Sequence, residues 1–125
     1  MRSIIALPAL FAVLLAVSPS VAAQDITGIW NRGDGNARVS VTRCGQAYCA
    51  TNIWIRDPSS GEKVGHVLVM NVKPQDNVVL TGTAYDPQRK LNLSASVSVN
   101  GDSMTTQGCV LAGMICKTMA WTRVK

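Results

Sequence analysis

The sequence predicts an all-β fold, an up-and-down antiparallel barrel of about eight strands. Three observations carry this. Beyond residue 23 the chain has five Leu and one Glu against 26 Val, Ile and Thr, a composition suited to pleated, half-buried surfaces. Seven clusters of Gly, Pro, Asn, Asp and Ser punctuate the same stretch at short intervals. Between them apolar and polar residues alternate, the period-two pattern of a sheet with one wet side.

The first segment, 27–31, begins on Gly28-Ile29-Trp30 and ends before Gly33-Asp34-Gly35-Asn36. The second, 36–44, sets Val39 and Val41 against Arg38, Ser40 and Thr42, and stops at Gly45-Gln46. The third, 48–56, contains Ile53-Trp54-Ile55 and meets the turn Asp57-Pro58-Ser59-Ser60-Gly61. Lys73-Pro74-Gln75-Asp76 separates the fourth, 64–72, from the fifth, 77–85. After Asp86-Pro87-Gln88-Arg89 comes the sixth, 90–99, with the clearest alternation. Leu91, Leu93, Ala95, Val97 and Val99 take one face; Lys90, Asn92, Ser94, Ser96 and Ser98 take the other. The seventh, 103–110, lies between Asn100-Gly101-Asp102 and Ala112-Gly113, and the eighth, 115–124, carries Trp121-Thr122-Arg123.

Eight consecutive strands on short turns have two economical arrangements, a closed meander barrel or a two-sheet sandwich. Closure removes exposed edges, so the barrel is expected. It also makes the first and last strands neighbours. Arg123 is then placed to lie over the Trp30 indole as a barrel-closing contact, worth about 1 kcal/mol when partly desolvated.

Residues 1–23 read as a secretory signal peptide and 24–125 as a single barrel domain. Met1-Arg2 is a short positive start, Ile4 to Val17 is uncharged, and Val21-Ala22-Ala23 offers small residues for cleavage before Gln24. The uncharged run falls short of the roughly 20 residues a spanning helix needs. The expected location is periplasmic or secreted, with no membrane-spanning segment after cleavage. About a hundred residues exclude a (β/α)₈ barrel or a full dinucleotide-binding domain.

Export gives the four cysteines their meaning. Cys44/Cys49 and Cys109/Cys116 have neither the spacing of a zinc knuckle nor that of a redox C-x-x-C pair. Two structural disulfides are expected instead. Of the three connectivities that four cysteines allow, the local one (Cys44–Cys49 with Cys109–Cys116) suits residues facing each other across tight hairpins.

Together these features resemble the bacterial family known as domain of unknown function 2147. The matching residues are Gly28-Ile29-Trp30, Arg43-Cys44-Gly45 with Cys49, Ile53-Trp54-Ile55, Gly82 with Tyr85-Asp86-Pro87, Gly108-Cys109 with Cys116, and Trp121-Thr122-Arg123-Val124. The resemblance implies a small lipocalin-like barrel in the periplasm or outside the cell, with no established activity. Family members often carry a longer segment between the third and fourth strands, where this chain has the compact Asp57–Gly65. Leu93 stands where a Tyr is usual.

No catalytic residue, cofactor or metal ligand is expected. The only His, His66, lacks a placed partner, the Ser residues lack a G-x-S-x-G elbow, and Glu62 and the Asp residues form no evident acid pair. Basic residues are scattered with no run beyond two, the pattern of a solvated surface, so a nucleic-acid partner is not expected. The expected function is therefore binding of a small apolar or amphipathic ligand inside the barrel. Trp54, Met70, Tyr85, Leu93 and Met119 are the candidate ligand-lining side chains. An eight-stranded barrel is just wide enough to be filled by side chains or to hold one small ligand, and size alone predicts a filled or nearly filled one. The alternative is an envelope protein-interaction module, lysozyme-inhibitor-like, with a filled core. Against that alternative stand the positive net charge, repulsive toward a cationic lysozyme, and Val64 where an S-G-x-x-Y loop would have Tyr.

Overall fold

The computed structural model describes residues 25–125, together with Pro8, Ala9 and Ala12. The expected signal peptide and its cleavage point before Gln24 otherwise lie outside the described residues.

Eight strands follow one another in order. They are β1 (Gly28–Arg32), β2 (Ala37–Cys44), β3 (Ala47–Ile55), β4 (Val67–Pro74), β5 (Val79–Asp86), β6 (Leu91–Asn100), β7 (Ser103–Val110) and β8 (Ile115–Arg123). Each pairs antiparallel with its neighbours, and β1 pairs with β8, so the sheet closes into a meander barrel. Outward positions of β6 and β7 are Ser94, Ser96, Ser98, Thr105 and Gln107 while the apolar side chains point in. A lipid-facing band would be the reverse.

The strands depart from expectation where turn chemistry takes residues from them. β4 begins at Val67 rather than residue 64, because Gly65 adopts φ 90°, a left-handed conformation that extended strand excludes. β5 begins at Val79 rather than residue 77, because the Asp76 carboxylate accepts hydrogen bonds from the Val78 and Val79 amides and keeps 77–78 in the turn.

The turns define two ends. At one lie the β2–β3, β4–β5 and β6–β7 turns and the N-terminal segment 25–27; at the other lie the β1–β2, β3–β4, β5–β6 and β7–β8 connections. The first end is closed. Ile26, Trp30, Leu80, Val97 and Val99 are its fully buried side chains. The segment 25–27 is held there because the Trp30 indole N–H donates to the Ile26 carbonyl at 3.0 Å. Arg123 completes the seal: it stacks 4.3 Å from the Trp30 ring centroid and donates to the carbonyls of Thr27 (2.7 Å) and Asp25 (2.9 Å). Trp30 and Arg123 are direct cross-strand partners, so the first and last strands meet as closure predicts. Gly28 is required beneath this contact. Its φ is 127°, and a Cβ there would stand 2.8 Å from Arg123 Nη1.

Both disulfides are local. Cys44–Cys49 staples the β2–β3 hairpin at the closed end, and Cys109–Cys116 staples the β7–β8 hairpin at the other. There is no free cysteine among the described residues. Such bridges fit an oxidising compartment.

Candidate binding cavity

The second end of the barrel is open. A cavity of about 570 Å³ enters from the β3–β4 and β5–β6 connections and reaches down to the sealed core. Its floor includes Trp30, Met70, Val97 and Met104, and its upper wall Ala50, Leu68, Ala84, Leu93, Ala95 and Trp121. The filled or nearly filled interior that chain length predicts therefore holds only at the closed end.

Register explains the space. Ala95 of β6 sits directly between Gly82 of β5 and Gly108 of β7, so three adjacent strands contribute almost no side chain at one level. Gly82 is small because β4 and β5 approach closely: a Cβ there would collide with the Asn71 carbonyl oxygen. Gly108 is less constrained, since a Cβ would make ordinary contact with Leu93 Cδ1 at 3.6 Å. Trp121 is oriented along the wall by an indole N–H bond to Thr106 Oγ1 at 2.9 Å.

Of the expected lining residues, Met70 and Leu93 line the cavity. Trp54 and Tyr85 point outward, 41% and 38% exposed, which corrects the inward placement expected for them. Ala50 and Asn52 face in, and strict alternation would carry Trp54 in with them. A β-bulge intervenes: Arg38 pairs with Trp54 but Val39 pairs with Asn52, leaving Ile53 without a partner on β2. Trp54 is thereby turned out, 5.5 Å from the Arg38 guanidinium. Tyr85 fails for a simpler reason. Leu80 and Ala84 take the inward face of β5, and the larger side chain takes the other. Met119 shares the face of Trp121 and is half-buried, but it stands opposite Thr106 and does not line the cavity.

The rim is polar: Arg32, Asn52, Glu62, Lys63, His66, Asp86, Gln88 and Arg89. One clamp dominates it. Arg32 at the end of β1 donates from Nη1 and Nη2 to the two carboxylate oxygens of Glu62 at 2.7 and 2.8 Å, and from Nε to Asp34. Asn36 Nδ2 adds a bond to Glu62 at 2.9 Å. Charge-assisted bidentate pairs of this kind are the strong ones. The Arg32 hydrogen bonds lower the Glu62 carboxyl to about 2, and the same pairing raises the guanidinium further above its ordinary value. The clamp fixes the β3–β4 connection over the mouth, so Gly61, Glu62 and Lys63 form part of the cavity wall. A single 3-10 turn, Pro58–Ser60, shapes this loop, with the Asp57 carboxylate accepting from the Ser59 amide.

Opposite the clamp, Gln88 imitates a strand. Its amide accepts from the Val67 N–H at 2.7 Å and donates to the Val67 carbonyl at 2.8 Å, tying the β5–β6 turn to the start of β4. Asp86 holds that turn by accepting from the Gln88 and Arg89 amides. Sequence reasoning missed Glu62 and Gln88 as mouth residues. Their partners lie 30 and 21 positions away, and neither spacing leaves a local signal.

Fold and cavity together define the class: a small disulfide-bonded calyx, sealed at one end and open at the other. The chain belongs to the bacterial family described as "Uncharacterized protein conserved in bacteria (DUF2147)", whose family model matches residues 28–123. Neither the curated proteins nor the solved structures gave a match.

Proposed function

We propose that this protein is a non-catalytic, exported carrier or sensor that binds one small apolar or amphipathic molecule in the barrel. The observation that carries the reading is the open cavity of about 570 Å³, with apolar walls and a polar rim. Ligand pockets typically measure about 300–1,000 Å³ and combine such walls with a few polar groups. The apolar part of a ligand lies against Leu68, Leu93, Ala95 and Trp121, and its polar end reaches the rim near Lys63, His66 and Gln88. A periplasmic or secreted location is supported by the signal-like residues 1–23 and by two disulfides in about a hundred residues. The polar rim groups are largely committed to holding turns, which suits a mouth better than a reaction centre.

Native mass spectrometry of protein purified from its own compartment tests the reading, with extraction of whatever co-purifies. The expected result is added mass from an amphiphile and a thermal shift with members of a lipid and small-amphiphile panel. A clean apo mass with no shift from any of them would sink the carrier.

A further inference from the structure

The β7–β8 hairpin projects beyond its neighbours. β1 ends its pairing with β8 at Arg32 and Trp121, and β6 ends its pairing with β7 at Ser94 and Cys109. Ile115 to Met119 therefore have only β7 beside them. The Cys109–Cys116 disulfide staples this projection. Between the two cysteines runs Val110-Leu111-Ala112-Gly113-Met114-Ile115, six residues without a charge or a polar side chain. Leu111, Met114 and Ile115 are 66%, 84% and 57% exposed. Leu111 and Ala112 also adopt φ of 53° and 55°, where Gly or Asn would be less strained. The turn thus keeps apolar side chains at positions where turn chemistry favours polar or Gly residues, and leaves them in water.

Charge selects the occupant. From Pro87 to the last residue the only acid is Asp102, which lies at the closed end in the β6–β7 turn. At the mouth end the same sector offers Arg89 and Lys90 on the adjacent β5–β6 turn and Lys117 on the hairpin itself. The mouth-end acids are Asp34, Asp57, Glu62 and Asp86. Arg32 engages Asp34 and Glu62, the Ser59 amide engages Asp57, and Asp86 is held by its own turn and by Arg89 at 3.5 Å. The side chains scattered in sequence are gathered by the fold into an apolar tip flanked by cations.

We propose that this tip docks the barrel, mouth end first, on an anionic phospholipid surface. Leu111, Met114 and Ile115 enter the boundary of the acyl chains while Arg89, Lys90 and Lys117 meet the headgroups. The docking is independent of what fills the cavity, although it brings the mouth to the surface from which an amphiphile would come.

Vesicle co-sedimentation tests it, using phosphatidylglycerol-containing and pure phosphatidylcholine vesicles at low and high salt. The wild-type protein is expected to sediment with the anionic vesicles and to be released by salt. The double variant Leu111→Ser/Met114→Ser is expected to lose binding by about ten-fold or more. The double variant Lys90→Glu/Lys117→Glu is expected to lose the preference for anionic lipid. All these side chains are exposed, so the thermal midpoint and the disulfides of both variants should match the wild type. Wild-type protein that stays in the supernatant with anionic vesicles would overturn the proposal, as would a tip variant that binds like the wild type. Concentration-dependent dimerisation without lipid, abolished by the tip variant, would assign the tip to a second copy of the chain and also overturn it.

Discussion

The two ends of the barrel are built from the same eight strands with the same alternation, yet they do opposite things with their interiors. At the closed end, large side chains meet: Trp30 and Leu80 pack with Val97, Val99 and the plugging Ile26. At the open end Ala50, Ala84, Ala95 and Gly108 leave space between Leu68, Leu93 and Trp121, and a cavity takes the place of a core. The ends are also fastened differently. Arg123 seals one by joining β8 to the segment 25–27; Arg32 and Glu62 fasten the other, which stays open, by pinning a loop. Tight packing and open space are thus spatially separated. Apolar burial is concentrated at the closed end, and the sparsely filled half is left to a polar clamp.

Substitutions at the closed end should therefore have the largest effect on stability. Trp30→Ala is expected to cost about 3–5 kcal/mol, the range for removing a fully buried aromatic side chain. Chemical denaturation should show the loss with cooperativity retained. A cost below about 1 kcal/mol would mean that the closed end is not the structural anchor.

Next in size are the staples. Each disulfide closes a short loop, so Cys44→Ser/Cys49→Ser and Cys109→Ser/Cys116→Ser should each lower stability by about 2 kcal/mol by the loop-length argument. Closely matched melting shifts for the two pairs would separate the staples from the packing difference between the ends. A much larger loss from the mouth-end pair would mean that the projecting hairpin supports the barrel more than its exposure suggests.

The clamp should matter less to the fold than to the mouth. Glu62→Gln is expected to cost about 1–2 kcal/mol by weakening a partly exposed charged pair. Hydrogen exchange of the β3–β4 amides should rise while β6 and β7 stay protected. The same pair sets a pH window. The Glu62 carboxyl lies at about 2 in the folded protein against an ordinary 4.5, so its contribution is fully present above 4.5 and is lost as pH falls toward 2. Wild-type stability should fall through that window more steeply than that of Glu62→Gln. Parallel pH profiles would show that the clamp contributes nothing.

The smallest effect on the fold should come from Gly108→Ala, where a Cβ meets only Leu93 Cδ1 at an ordinary 3.6 Å. The expected change in melting midpoint is within a few degrees, and a large loss would place a hidden constraint on the open wall.

Much of this was legible in the sequence. Val, Ile and Thr with regularly spaced turn residues indicated eight strands, and Gly28-Ile29-Trp30 with Arg123 indicated where the sheet closes. Those signals are local, or lie at the two termini of a meander, where order along the chain dictates neighbours. The mouth was less legible. Trp54 turns outward because of one extra residue at Ile53, and a bulge changes parity without an evident mark in composition. The cavity wall places Ala95 and Gly108 side by side on β6 and β7, which requires the register of both strands. Glu62 looked like an isolated acid until the fold brought Arg32 beside it.

A larger side chain at Ala95 decides whether the open half holds a ligand, as proposed, or is a packing defect. Thermal melting of wild type and Ala95→Leu should be compared with and without the amphiphile that co-purifies, or the strongest member of the panel. At a ligand concentration 100 times Kd the wild type should gain about 2.7 kcal/mol, a shift of several degrees. Ala95→Leu should fold with an unchanged or higher midpoint and show no ligand shift. The same ligand shift in both proteins would place the ligand outside the cavity.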